Sequence, residues 1–205
     1  MVDVIICGVG GQGVLLLAEV LGTAAMKEGL DVRVSEIHGM AQRGGPVVCH
    51  LRAREGAVYA PTVMDGTADV LLALEPAEAV RALRFVGPKT LALVSERTIR
   101  PVMVSLGLAE YPDMQEIRAV LTSTAREAYF IDALKLAEEA GSPLAQNMVM
   151  AGALVATGVF PAGREAVLEA MRELVPTRYL EVNLRAFELG EKALRALLEQ
   201  GEGSG

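Results

Sequence analysis

The chain has 205 residues, enough for one domain with a sizeable buried core, and its 52% apolar and 22% charged composition excludes a disordered protein. A net charge of −7, with no Trp and aromatics at only 4%, removes the basic face and the stacking platform that nucleic-acid binding requires. Glu19, Lys27, Glu75 and Glu78 interrupt the longest apolar runs, so no stretch reaches membrane-spanning length.

Taken in order, "VDVIICGVG" is a short apolar run ending in glycine, which predicts a buried strand. "GQGVLLLAEVLGTAAMKEG" after it has helical length and Gly29 as its stop. "LDVRVSEI" alternates as a second strand, and "GPVVCHLRAR" follows as a third, with Pro46 at its first position, where no ladder donor is needed. "ADVLLALEP" predicts a strand, "AEAVRALRFV" a helix and "KTLALVSE" another strand. From "DMQEIRAVLTSTAREAYFIDALKLAEEAG" onward the pattern is helical, and "NMVMAGALVATGVF", "GREAVLEAMRELV" and "EVNLRAFELGEKALRALLEQ" add three further helices. The sum is an α/β fold, a Rossmann-like sheet with helices on both faces and a helical C-terminal layer. Residues 1–200 read as a single domain, and residues 201–205, "GEGSG", as a disordered tail. The N-terminus shows neither a basic n-region nor a cleavage pattern, so a cytoplasmic location is expected. Cys7 and Cys49 lie in apolar strands and read as buried free thiols of a reducing compartment.

The first chemical signal is "GVGGQG", residues 8 to 13, between the first strand and the first helix. Gly8, Gly10 and Gly13 fit the dinucleotide fingerprint G-x-G-x-x-G, and Glu36 at the end of the second strand stands where a ribose-binding acid belongs. Gly11 and Gln12 depart from the usual redox-cofactor loop. Two readings therefore stand for the turn: an anion or nucleotide held by Gly10, Gly11, Gln12 and Gly13, or a structural loop packed beneath other protein. The helix that follows shows one narrow polar stripe, Glu19, Thr23 and Lys27. The rest of its circumference asks for burial, either by the chain's own C-terminal helices or by another subunit.

Metal and nucleophile signals fail on inspection. Cys49 and His50 are strand neighbours pointing to opposite faces, so they cannot share an ion. Two cysteines cannot supply the four thiolates of a four-iron cluster, no Gly-Asp-Gly thiamine-diphosphate motif occurs, and no nucleophile elbow is recognisable. Neither a catalytic residue nor a metal ligand is assigned to this chain.

"SEIHGMAQRGGPVVCHLR", residues 35 to 52, is the unusual segment, a connection carrying His38, Met40, Gln42 and Arg43 around three glycines. With "CGVGGQGVLLLAEVLG", "NMVMAGALVATGVFP" and "EVNLRAFELG", in this order and nearly end to end, it resembles the gamma-type domain of the 2-oxoacid:ferredoxin oxidoreductases, with the separate small subunit of the indolepyruvate enzymes as the nearest likeness. That resemblance implies oxidative decarboxylation of a 2-oxoacid, here an aryl pyruvate, with coenzyme A and ferredoxin as co-substrates. It implies a large partner subunit carrying thiamine diphosphate and the iron–sulfur clusters, contact with ferredoxin only through the complex, and no resident cofactor in this chain alone. It also implies a coenzyme A contact at the 38–45 loop. Arg43 there is the phosphate-binding cation, Gln42 stands where a second basic residue occurs in relatives, and Gly44 and Gly45 allow a close backbone approach. Docking of the same loop on the large subunit is the other reading. The alternatives for the whole chain are a gamma subunit for pyruvate, 2-oxoglutarate or a branched-chain oxoacid, and a stand-alone dinucleotide-binding protein.

Overall fold

In the computed structural model, which describes residues 1–38 and 44–202, β1 (Val2–Val9) is buried at every position, as a strand covered on both faces must be. Helix α1 (Val14–Lys27) crosses over to β2 (Asp31–His38), which forms an antiparallel hairpin with β3 (Pro46–Arg54). β3 lies beside β1, also antiparallel. The chain then adds β4 (Val70–Ala73), α2 (Pro76–Arg81), β5 (Leu91–Ser95), the single turn α3 (Val102–Ser105), α4 (Met114–Thr124) and β6 (Glu127–Ile131). β1, β4, β5 and β6 are parallel, and the order across the six-stranded sheet is β2-β3-β1-β4-β5-β6.

β6 is a departure from the sequence reading, which placed Glu127–Ile131 inside a helical stretch. "EAYFI" is half-exposed at the sheet edge and lacks the long apolar run of the inner strands. The strand order is a second departure. In a dinucleotide-binding sheet the second strand adjoins the first. Here β3 lies between them and puts β2 two interstrand spacings, roughly 10 Å, from β1. Glu36 pairs with Cys49 on the outer hairpin and is exposed, so it does not occupy the position of a ribose-binding acid.

The period of two in β1 sorts its side chains. Val2, Val4 and Ile6 enter an aliphatic core with Cys49, Leu51, α1 and the C-terminal helices α5 (Ala133–Ala140), α6 (Gln146–Ala156), α7 (Arg164–Leu174) and α8 (Thr177–Glu202). Ile5 and Cys7 enter a smaller core under α2 and α4. Helices thus lie on both faces, as expected, with the C-terminal layer on one of them. α8 reaches Glu202, two residues into the segment expected to fray. α6 and α8 cross at Gly152 and Gly190, where an added Cβ would collide with the Phe187 and Val149 carbonyls respectively. α1 is buried by the chain's own α6 and α7, but Leu15 and Met26 join its exposed stripe. Among the described residues no helix is long and apolar enough to cross a membrane.

Candidate functional site

Because β1, β2 and β4 run the same way, the glycine turn after β1, the end of β2 with Gly44 and Gly45 just before β3, and the residues after β4 all gather at one edge of the sheet. Two backbone hydrogen bonds join the first two. The Gly10 N–H donates to the Gly45 carbonyl at 2.8 Å, and the Gly44 N–H donates to the Gly10 carbonyl at 3.3 Å. Gly44 adopts φ +75° and Gly11 φ +103°, left-handed conformations in which a side chain would be strained. The two glycine clusters that stand apart in sequence are therefore one structure. Met40, Gln42 and Arg43 lie outside the described residues; Arg43 directly precedes Gly44 in the chain.

Gln12 gives the turn its character. Its side chain is buried; Oε1 accepts from the Val9 N–H at 2.7 Å and Nε2 donates to the Leu74 carbonyl at 2.7 Å. Between β1 and β4 the strand connections diverge to opposite sides, the crevice where open α/β sheets receive a ligand. In this chain the Gln12 amide fills it. An added Cβ on Gly8 would sit 2.9 Å from Gln12 Oε1, so the first glycine of the fingerprint makes room for the chain's own glutamine. Gly13, at φ +78°, is held by Asn147 at the start of α6, whose Nδ2 donates to its carbonyl at 3.2 Å and would lie 2.5 Å from a Cβ placed there. Gly8 and Gly13 are thus explained by packing against protein, while a Cβ added at Gly11 would meet nothing within 4 Å.

Past β4, Glu75 is a buried hub that the sequence reading did not single out. One carboxylate oxygen accepts from the Glu78 N–H at 2.9 Å and caps α2; the other accepts from the Ile99 N–H at 3.2 Å and the Tyr111 hydroxyl at 2.5 Å. Glu-Pro at the head of a helix was the available signal. Glu78, paired with Arg81, is buried enough that desolvation raises its carboxyl, and Tyr111 is pushed up by burial and by Glu75. Cys7 below them is raised well above an ordinary thiol, first by burial and then by these carboxylates, and burial pushes Cys49 up to about 12. Neither thiol is poised as a nucleophile. They point to opposite faces of the sheet and cannot converge on one cluster.

On the α1 side of the same edge a cleft of about 280 Å³ opens between Gly11–Gly13, the α5–α6 connection and the start of α8.

Similarity to the family described as pyruvate ferredoxin/flavodoxin oxidoreductase runs over residues 3–193. The indolepyruvate oxidoreductase subunit IorB of Pyrococcus horikoshii is 43% identical over 197 residues, covering 96% of this chain and 97% of that protein. The fold is shared with the gamma subunit of a keto/oxoacid ferredoxin oxidoreductase from Geobacter sulfurreducens, at TM-score 0.69 and 24% identity over 96% of this chain and 99% of that one. It is also shared with part of a 2-oxoglutarate:ferredoxin oxidoreductase from Magnetococcus marinus, solved with 2-oxoglutarate, coenzyme A and succinyl-CoA, at TM-score 0.74 and 21% identity over 95% of this chain and 31% of that one.

Proposed function

Because the chain belongs to the pyruvate ferredoxin/flavodoxin oxidoreductase family, we propose that it is the small, non-catalytic subunit of a 2-oxoacid:ferredoxin oxidoreductase acting on indolepyruvate and related aryl pyruvates. The near end-to-end identity to an indolepyruvate oxidoreductase subunit supports that substrate class over pyruvate, 2-oxoglutarate or branched-chain oxoacids. Residues 1–200 act as one gamma-type domain. Thiamine diphosphate and the iron–sulfur clusters belong to a large partner subunit, through which ferredoxin is reduced; the opposed faces of Cys7 and Cys49 accord with that division.

This chain's part is to meet coenzyme A. The observation that carries the reading is the two-way bond between Gly10 and Gly44–Gly45, which holds Gly44, the residue after Arg43 in the sequence, beside the turn of Gly10, Gly11, Gln12 and Gly13. Arg43 contributes a planar cationic fork for a phosphate. The reading of a stand-alone dinucleotide-binding protein loses its support at two points, the amide of Gln12 in the crevice and Glu36 on the outer hairpin.

Arg43→Ala in the assembled enzyme tests the coenzyme role. A charge-assisted phosphate contact is worth roughly 1.5–3 kcal/mol, so the KM for coenzyme A should rise about tenfold or more, with the KM for indolepyruvate nearly unchanged. The rise should shrink as salt increases. A variant that fails to co-purify with the large subunit would make the loop a docking element. Wild-type coenzyme kinetics across salt concentrations would remove Arg43 from the coenzyme site.

A further inference from the structure

In a parallel ladder, a bond from the Leu74 N–H to the Cys7 carbonyl, here 2.8 Å, is followed by a rung from the Val9 N–H to the Leu74 carbonyl. The chain does otherwise. The Val9 N–H donates to Gln12 Oε1 at 2.7 Å, and Gln12 Nε2 donates to the Leu74 carbonyl at 2.7 Å. A primary amide carries the same acceptor and donor as a peptide group, so the side chain stands in the ladder as an inserted unit. The two strands are held apart there by the width of one amide, and both backbone groups stay satisfied. Gln12 is 4% exposed, so the rung is closed by this side chain and not by bulk water.

On its other side β1 changes partner groups at the same place. Val9 is the last residue in register with β3, opposite Pro46, which has no N–H to offer. Beyond it the strands are joined by Gly10, whose N–H donates to the Gly45 carbonyl and whose carbonyl accepts from the Gly44 N–H. The Val9 carbonyl turns back to accept from the Gln12 N–H at 3.1 Å, so Gln12 holds both polar groups of the residue before Gly10. By fixing Val9 and the separation of β1 from β4, it fixes where Gly10 stands against Gly44 and Gly45.

We infer that Gln12 is a positioning residue for the coenzyme edge: its amide, standing in for one rung between β1 and β4, sets the place at which Gly10 bonds to Gly44 and Gly45. The inference rests on the coenzyme reading above, in which Arg43, directly before Gly44 in the sequence, meets a phosphate. It goes beyond that reading by assigning the geometry of the edge to a buried amide on the β4 side of β1, away from β3.

Gln12→Met keeps the length of the side chain and removes both bonds. Its control is Thr90→Val at the opposite edge of the sheet, where a fully buried hydroxyl likewise bridges one N–H and one carbonyl. It accepts from the Gly87 N–H at 2.8 Å and donates to the Ala68 carbonyl at 2.7 Å. In the full chain alone, amide hydrogen exchange of Gly10 and Gly44, read by NMR, should quicken about tenfold in Gln12→Met and keep the wild-type rate in Thr90→Val. In the assembled enzyme Gln12→Met should raise the KM for coenzyme A by about tenfold, as a displaced contact does, with the KM for indolepyruvate nearly unchanged. Combined with Arg43→Ala it should add little to the effect of Arg43→Ala alone, because both act on one contact. Gly8→Ala, whose Cβ would lie 2.9 Å from Gln12 Oε1, displaces the same amide without removing it and carries the same expectations.

Wild-type exchange at Gly10 and Gly44 in the Gln12→Met and Gly8→Ala chains would overturn the inference. So would an equal rise in the KM for coenzyme A in Thr90→Val, or full additivity with Arg43→Ala. Wild-type coenzyme kinetics in Gln12→Met beside a raised KM in Arg43→Ala would overturn the inference and keep the coenzyme reading. Wild-type kinetics in both would remove the reading and the inference together.

Discussion

On one face of the sheet, α1 and α5–α8 press an almost wholly aliphatic layer onto β1 and β3, closed by two helices that touch backbone to backbone at Gly152 and Gly190. On the other, α2, α4 and a long connection after β3 are fastened by a few polar pins. The Asp3 carboxylate takes Arg52 at 2.9 and 3.0 Å, and Arg52 donates onward to the carbonyls of Ala60 and Thr62. His50 Nδ1 accepts from the Val63 N–H at 3.1 Å, and Glu75 holds Ile99 and Tyr111. The first face draws its stability from area and fit. The second has a smaller apolar core and is positioned in addition by directional bonds, each of which is costly to break and leave buried.

The largest effect that would test this contrast is at the helix crossing. Gly190→Ala puts a methyl group into a backbone carbonyl that has no room to retreat, at the upper end of overpacking costs, about 3 kcal/mol. For a chain of this size that lowers Tm by roughly 6–12 °C in thermal melts. A shift within the error of the melt would mean that the aliphatic face is looser than its geometry.

Next in size is Glu75→Ala, which removes the α2 cap and leaves Ile99 and Tyr111 without their acceptor, costing about 2–3 kcal/mol. Limited proteolysis should then cut between residues 97 and 111 while the C-terminal helices stay resistant. Uniform digestion would show that the two faces are not separately held.

A smaller effect is the response of stability to acid. Burial, helped by Arg84 and Arg52, holds His50 below its ordinary value, so the unfolded chain takes up the proton first as the pH falls. The His50 contribution is complete above about pH 6.5 and is lost progressively below it. Glu78, raised by burial, acts with the opposite sign from the ordinary carboxylate range upward. The comparison is therefore with His50→Asn, which keeps an acceptor for Val63 and cannot titrate. Its Tm should fall less steeply between pH 6.5 and 5 than that of the wild type, and parallel curves would remove His50 from the acid response.

The subtlest test uses the two thiols. Cys7 looks into the pinned face and Cys49 into the aliphatic one, and both are raised and buried. Neither should react with a thiol-specific reagent in the native protein at neutral pH. In mild denaturant Cys7 should be labelled before Cys49, as mass spectrometry of peptides would reveal. The reverse order would invert the ranking of the two faces.

Five of the six strands and the three last helices were legible in sequence because their signals are local: apolar runs ended by glycine or proline, and apolar stripes at helical spacing. β6 was hidden because "EAYFI" is short, half-wet and flanked by helices. The insertion of β3 between β1 and β2 could not be read, since a hairpin's choice of neighbour is settled by packing across the sheet. In the site, Gln12 was visible as a departure from the cofactor fingerprint, but its partner Leu74 was not. Glu75 looked like one charge breaking an apolar run, and only the folded chain brings Tyr111 to it. Leu144 and Tyr179 in the cleft beside Gly11–Gly13 carried no signal, because a cleft made from three distant segments has no sequence pattern.

The bond from Gln12 to Leu74 spans 62 residues and that from Asn147 to Gly13 spans 134. The contact between Gly10 and Gly45 also waits on β3 closing against β1. A fragment ending near residue 60 would contain every glycine of both motifs and neither of these long-range partners. Contacts of such separation form only after the loops between them have closed, so the site matures late in folding and is inherited from the completed sheet. Transplanting "GVGGQG" and "HGMAQRGG" onto another scaffold would carry the letters without the shape.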